Sequence, residues 1–326
     1  MQAGIPLVEL WRGPFAESVH TGHAVICDAQ GDIVEAWGDP TQVVLPRSSA
    51  KMLQALPLIE SGAADAFSLS TAQLALSCAS HQGARIHVDK VSAWLGDLGL
   101  GESDLRCGPQ QSEDIPYRNQ MICADEAPCQ LHNNCSGKHA GFLTLAKHLG
   151  AGPEYIDPDH PVQLAGREAW ERMTDEEVQG YGIDGCSAPN FATSLHGMAR
   201  AMAKFATAAE GTPQQRLVSA MTTHPELVAG ETRACTNLMR AMDGRVAIKT
   251  GAEGFFIAII PEKKLGVALK IADGTTRASE CAIAAILVKL GVLDVDHPET
   301  RKYLDAPILN RRGIQTGWQR ATDALR

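Results

Sequence analysis

The residues with the clearest chemical potential lie in Pro46-Arg47-Ser48-Ser49-Ala50-Lys51, where a strand-like stretch gives way to a helical one. Ser48 falls there at a cap position, with Lys51 three residues later on the same helix face. A serine hydroxyl is a poor nucleophile until a base takes its proton, and a lysine kept neutral by burial and neighbouring cations can be that base. The same residues also fit a helix cap followed by a solvated lysine, and the spacing leaves both readings open. Two further stretches, Ser77-Cys78-Ala79-Ser80-His81-Gln82-Gly83 and His132-Asn133-Asn134-Cys135-Ser136-Gly137-Lys138-His139-Ala140-Gly141, are dense in polar groups beside glycine at helix ends, a pattern that favours a site over a plain loop.

Far downstream, Lys249-Thr250-Gly251 closes a strand-like segment. SxxK followed by KTG on a sheet strand is the serine penicilloyl-hydrolase arrangement, in which the KTG strand borders the nucleophile, supplies a cation and lends a backbone N–H to an oxyanion hole. The third element of that pattern, an SDN-type triplet, is absent, which argues against a β-lactamase.

Taken together, Arg47-Ser48-Ser49-Ala50-Lys51, Ser77-Cys78-Ala79-Ser80-His81, Asn133-Asn134-Cys135-Ser136-Gly137-Lys138-His139, Asp184-Gly185-Cys186 and Lys249-Thr250-Gly251-Ala252-Glu253-Gly254 resemble the rhizobial-type L-asparaginases, the asparaginase II family. The likeness runs to about residue 290. It implies a fold similar to serine β-lactamases, penicillin-binding proteins and serine-dependent glutaminases, and hydrolysis of L-asparagine to L-aspartate and ammonia through an acyl-enzyme. It further implies two Ser-Lys pairs, Ser48 with Lys51 and Ser80 with Lys249, and one zinc ion per chain on Cys135, Lys138 and Cys186, outside the role of primary catalyst. A lysine ligates only when neutral, at a cost that bound metal offsets, and without the resemblance two isolated cysteines read as buried thiols. Within the same frame the Ser48 and Ala252 N–H groups beside Gly251 serve an oxyanion. His139 sits by the metal or lines the pocket, Asp184 meets the substrate ammonium or orients a ligand, and Arg47 pairs with the substrate carboxylate. An ordinary salt bridge or cap is the competing reading for each of these last three. A glutaminase or a β-lactam hydrolase on the same fold is the rival activity, and a zinc-binding or ligand-binding protein without turnover is the non-enzymatic alternative.

The elements that must position these groups follow from hydrophobic period. Residues 7–11, 23–27 and 33–37 read as strands, the last two as an antiparallel hairpin around Asp28-Ala29-Gln30-Gly31-Asp32. Helical patterns dominate from about 48 to 242, at 50–60, 71–79, 137–149, 161–173 and 191–207. Strands return at 246–249, 254–260 and 264–271 around Pro261-Glu262-Lys263, followed by a helix at 277–290, and residues 294–326 show no regular pattern. Strand-rich ends around a helical middle predict an α+β fold, one antiparallel sheet built from both ends of the chain and flanked by helices, with a large helical insertion. The expectation is a single catalytic unit over 1–326, with a sheet sub-region (1–47 and 243–326) and a helical one (48–242).

Composition bounds the rest. The 326 residues carry 29 Lys and Arg against 38 Asp and Glu, a net charge of −9 that repels polyanions and argues against nucleic acid as a partner. No basic-then-apolar leader opens the chain and no apolar run reaches the roughly 18 residues of a membrane span, so a cytoplasmic protein with no membrane partner is expected. The nine cysteines form no CxxC pair and read as reduced thiols. A small-molecule substrate and a homodimer complete the expected partners.

Overall fold

The N-terminal strand signals become β1 (Ile5–Arg12), β2 (Phe15–Cys27) and β3 (Ile33–Trp37) in the computed structural model, which describes residues 4–326. Residues 1–3, the start of the stretch read for a leader, lie outside the described residues. The later signals become β4 (Ala247–Thr250), β5 (Phe255–Ile260) and β6 (Leu265–Ile271). Two strands at the C-terminal end, β7 (Ala306–Leu309) and β8 (Gln315–Ala321), complete one antiparallel sheet in the order β7-β8-β1-β2-β6-β5-β4, with β3 paired to the second half of β2. The fold is α+β, with the sheet drawn from both ends of the chain as the pattern predicts.

The chain divides into two compact units. The first comprises the chain up to Ser49, Thr193–Thr207 and Asn237–Arg326, and contains the whole sheet. The helices Leu195–Ala206 and Thr276–Lys289 both pack on β5 and β6, whose residues from Phe255 to Ile260 and from Gly266 to Ile271 are all buried. Covered on both faces, these strands have no polar side to show, hence the apolar runs from Phe255 to Ile260 and from Leu265 to Leu269, the second ended by the buried Lys270. Gly266 is required by the contact with the first helix: a Cβ there would meet Ala203 N at 2.1 Å and Ala199 O at 2.3 Å.

Three sequence expectations are corrected in this unit. The 191–207 segment is helical only from Leu195 to Ala206, because Thr193–Ser194 pairs with Val43–Val44 and Ser194 Oγ caps the helix by accepting the Gly197 N–H at 2.8 Å. This helix also groups with the sheet, whereas the sequence reading places it in the helical sub-region. Residues 294–326 are not irregular throughout, since β8 lies between β7 and β1. Its inward positions are Gly317, Gln319 and Ala321, too small or too polar to give an alternating apolar signal. At Gly317 even a methyl group would meet Trp11 O at 1.9 Å.

The second unit, Ala50–Ala192 and Ala208–Thr236, is mainly helical. Its centre is Lys51–Glu60, buried from Lys51 through Ile59 and packed against Thr71–Ser77, Ser136–His148, Pro161–Thr174 and Pro213–Thr223. A helix apolar on every side is a core helix, and here it carries Lys51 into the interior. Gly137 lets Ser136–His148 approach Thr71–Ser77, because a Cβ there would lie 2.5 Å from Leu76 O. Among the described residues no helix is long and apolar enough to cross a membrane. Seven of the nine cysteines are buried, Cys129 is partly so and Cys123 is exposed.

Candidate active site

In the sheet unit the Pro46–Ser49 turn lies directly against the end of β4. Arg47–Ala50 forms a 3₁₀ turn before the Lys51–Glu60 helix, so neither Ser48 nor Ser49 caps that helix; Ala50 holds the cap position without a side-chain bond. Ser49 Oγ instead donates to Lys249 O at 2.9 Å, and Ser49 N–H donates to Pro46 O at 3.1 Å. Gly251 completes the approach, since a Cβ there would meet Pro46 O at 2.5 Å and Ser49 Oγ at 2.8 Å. The SxxK turn and the KTG strand end are thereby brought together.

Ser48 is half-buried and follows Arg47, whose φ of 53° is left-handed. That conformation costs a non-glycine residue on the order of 1 kcal/mol, and such strain gathers where a side chain must be aimed. Lys249 is buried, with Nζ donating to Thr250 O at 2.8 Å. Beyond it the turn keeps Gly251 N–H on Phe255 O at 2.8 Å, with Glu253 and Gly254 both left-handed and Ala252 exposed.

In the helical unit Lys51 is 1% exposed. Its Nζ donates to the Ala79 carbonyl, to Ser80 Oγ at 2.9 Å and to Cys135 Sγ at 3.1 Å. Ser80 itself is held by its N–H, which donates to Val228 O at 2.8 Å. Of the four Ser and Lys residues singled out in sequence, Ser48 and Lys249 belong to the sheet unit, and Lys51 and Ser80, in contact, to the helical one.

The loops around Lys51 are locked by side chains of the two polar stretches, to which the sequence reading gave no individual role. His81 Nδ1 accepts Gly83 N–H at 3.1 Å, which leaves the Nε2 proton to be donated to Ser136 Oγ at 3.1 Å. Asn133 Oδ1 accepts Cys135 N–H at 2.9 Å, while its amide donates to Cys107 O and Gly108 O at 2.9 and 3.0 Å. Gly83 is left-handed and has no room for a side chain, with His132 O 2.4 Å from a would-be Cβ. Polar density beside glycine was the signal for these residues, but the partners are set by folding.

The Cys135, Lys138 and Cys186 side chains also meet. Lys138 Nζ donates to Cys186 Sγ at 3.1 Å, and Cys135 Sγ donates to Asn134 Oδ1 at 3.0 Å. The hydrogen bond between the two thiols, with the Lys138 charge added, drives Cys186 well below its ordinary pKa; the same bond, with burial added, drives Cys135 well above. Burial acts to lower Lys138, but the Cys186, Cys135 and Asp184 charges outweigh it and leave the lysine raised. Asp184 also shapes its own turn, accepting Gly185 N–H on Oδ1 at 2.8 Å. Burial lowers His139, whose Nδ1 lies 2.8 Å from Tyr155 Oη and whose buried Nε2 has no hydrogen-bond partner among the described residues. Tyr155 is a further residue that sequence reasoning missed.

The donor types suit a thiophilic metal: two buried sulfurs that interact with each other and an amine in contact with one of them. Among the described residues no three His, Cys, Asp or Glu side chains group to hold a metal, and the side chain that joins the two cysteines is Lys138, in contact with Cys186.

Comparison with known proteins gives the sequence its context. A search of curated proteins finds no match. Similar solved structures include a β-lactamase from Mycobacterium bovis, 14% identical, covering 82% of this chain and 94% of that one with a TM-score of 0.43. They also include an octameric penicillin-binding protein homologue from Pyrococcus abyssi, 13% identical, covering 93% of this chain and 84% of that one with a TM-score of 0.35. The family model for L-asparaginase II matches residues 8–321, a span that takes in every motif described above, and the chain belongs to that family.

Proposed function

We propose that the protein hydrolyses the side-chain amide of L-asparagine, giving L-aspartate and ammonia by way of an acyl-enzyme on Ser48. Family membership supports an amidohydrolase. The observation that carries the finer reading is the strained Arg47-Ser48 turn seated on the Lys249-Thr250-Gly251 strand end, with Ser49 Oγ tied to Lys249 O.

In this reading Ser48 Oγ attacks the amide carbon and its proton passes to Lys51, three residues along the chain, whose Nζ makes three donated bonds at rest and accepts only after releasing one proton to solvent. The proton continues by way of Ser80 Oγ, on which Lys51 Nζ rests, to the departing ammonia. The Ser48 and Ala252 N–H groups receive the developing oxyanion. Water then cleaves the aspartyl ester by the reverse relay, with the buried Lys249 as a fixed cation and Arg47 and Asp184 gripping the substrate carboxylate and ammonium. Cys135, Cys186 and Lys138 would hold a zinc ion, which when bound supplies a fixed positive charge that orders the loops bearing its ligands. Lys138 must give up its proton to bind it, and His139 Nε2, unpaired at rest among the described residues, would donate to the Cys186 sulfur. The reading takes the protein as a cytoplasmic homodimer, which sedimentation and cell fractionation test.

A second reading makes Ser80 the nucleophile, favoured by the 2.9 Å bond from Lys51 Nζ to Ser80 Oγ. Ammonia release from L-asparagine and L-glutamine by the purified protein, Ser48→Ala and Ser80→Ala, with mass spectrometry of acid-quenched reactions, separates the two. An aspartyl adduct of the Ser80→Ala protein that is absent from Ser48→Ala supports Ser48. Inert asparagine beside an active glutamine or β-lactam would overturn the substrate.

A further inference from the structure

We propose that Lys270 is a positioning residue for this hydrolysis, its buried ammonium clamping the Glu253 carbonyl so that the 251–254 turn presents the Ala252 N–H in one orientation. The proposal rests on the oxyanion role given to Ala252 above.

Lys270 sits near the end of β6, opposite His23 of β2 and Phe255 of β5, and is 7% exposed. Its Nζ donates to Glu253 O at 2.5 Å and to Ile271 O at 2.6 Å, so the charge is committed to two main-chain carbonyls. Burying an ammonium is costly, and an apolar side chain of similar length would fill the same space without that cost. What only the lysine supplies is a donor for those two oxygens.

The turn needs one. Gly251 N–H bonds to Phe255 O, Phe255 N–H to Ala252 O, and Ile271 N–H to Gly254 O, so these groups are held by the backbone itself. The Glu253 carbonyl is held by Lys270. Glu253 is also the turn's left-handed non-glycine residue, with φ of 59°, a conformation that must be imposed by its surroundings. Gly274 makes room for it, since a Cβ there would lie 2.7 Å from Glu253 Oε2. The Glu253 carbonyl and the Ala252 N–H are separated by the 252–253 peptide; with Gly251 N–H tied to Phe255 O and Ala252 O to Phe255 N–H, the clamp at Glu253 O closes the turn from its other side and limits how far the Ala252 N–H can swing.

The test compares Lys270→Met and Lys270→Arg with the parent protein in steady-state asparagine hydrolysis, thermal melting and hydrogen exchange of a peptide covering 250–256. With Lys270→Met we expect kcat to fall about 10–100-fold with KM within about threefold, because donor placement matters in the transition state. Exchange across the turn should quicken by about tenfold while β5 and β6 stay protected. Lys270→Arg, which keeps a donor, should recover most of kcat. Lower melting temperature with unchanged kcat and unchanged exchange at the turn would reduce Lys270 to a structural residue and overturn the proposal. If Lys270→Met does not fold, Lys270→Leu, which also lacks a donor, gives the same comparison. A parent protein inert toward asparagine would sink the functional reading alone, and the exchange measurement would still decide whether Lys270 holds the turn.

Discussion

Substituting Gly251 by alanine tests the approach on which the candidate site depends. The added methyl carbon would sit 2.5 Å from Pro46 O and 2.8 Å from Ser49 Oγ. The first is about 0.9 Å inside an ordinary carbon–oxygen contact of about 3.4 Å, and the obstacle is a main-chain oxygen that no rotamer change can move. Ser49 cannot yield easily either, because its hydroxyl is buried and bound to Lys249 O. The turn and the strand end must separate, at a cost of about 1–3 kcal/mol for overpacking. For a unit of roughly 150 residues that corresponds to roughly 2–4 °C in melting temperature per kcal/mol. A shift approaching 1 Å between Ser48 and the 251–252 N–H groups should lower kcat about 100-fold. Gly166→Ala is the matched control: it makes the same chemical change inside the Pro161–Thr174 helix, where a Cβ meets nothing within 4 Å, and should stabilise by about 0.5–1 kcal/mol with turnover unchanged. Ammonia release and melting curves on the two variants provide the readout. Parental kcat and melting temperature in Gly251→Ala would refute the reasoning, since it would mean that the two segments do not touch.

Two further outcomes are expected. Cys186→Ser should lower bound zinc, measured by elemental analysis, from about one per chain toward zero, and raise KM for asparagine about tenfold while kcat falls less; loss of all turnover in a folded protein would show that the metal does more than order the pocket. Burial pulls the His87 imidazole below its ordinary pKa, against its bond to the Glu226 carbonyl. Its folded pKa therefore lies under the unfolded value of 6.5, so its contribution to stability is full above pH 6.5 and is lost as pH falls through the folded pKa. Urea midpoints between pH 7.5 and 5 should accordingly decline less steeply in His87→Gln than in the parent, and parallel declines would exclude His87 as a source of acid sensitivity.

The α+β plan was legible because β5 and β6 are buried on both faces and leave long apolar runs, interrupted near the end of β6 by Lys270, while the Lys51–Glu60 helix is mostly apolar on every side. The extent of β2 was less so, since its first half is polar and largely exposed and only its second half carries the apolar signal. β8 was not legible, because Gly317, Gln319 and Ala321 enter the sheet through backbone pairing and tight space rather than apolar bulk.

For the site, the sequence by itself determined which chemical groups exist and which are chain neighbours. Ser48 must lie near Lys51 along the backbone, Cys135 and Lys138 must share a helical turn, and Lys249, Thr250 and Gly251 must end one strand. Tertiary structure alone decided the partners: Lys51 on Ser80 and Cys135, Lys138 on Cys186, Ser49 on Lys249, Lys270 on Glu253. Each of these joins residues from 17 to 200 positions apart. Local propensity and spacing act over one or two turns of chain, whereas a buried donor takes whichever acceptor the packed core brings within 3 Å. Roles that depend on such meetings, including the choice between Ser48 and Ser80, are therefore properties of the packed chain and not of any motif within it.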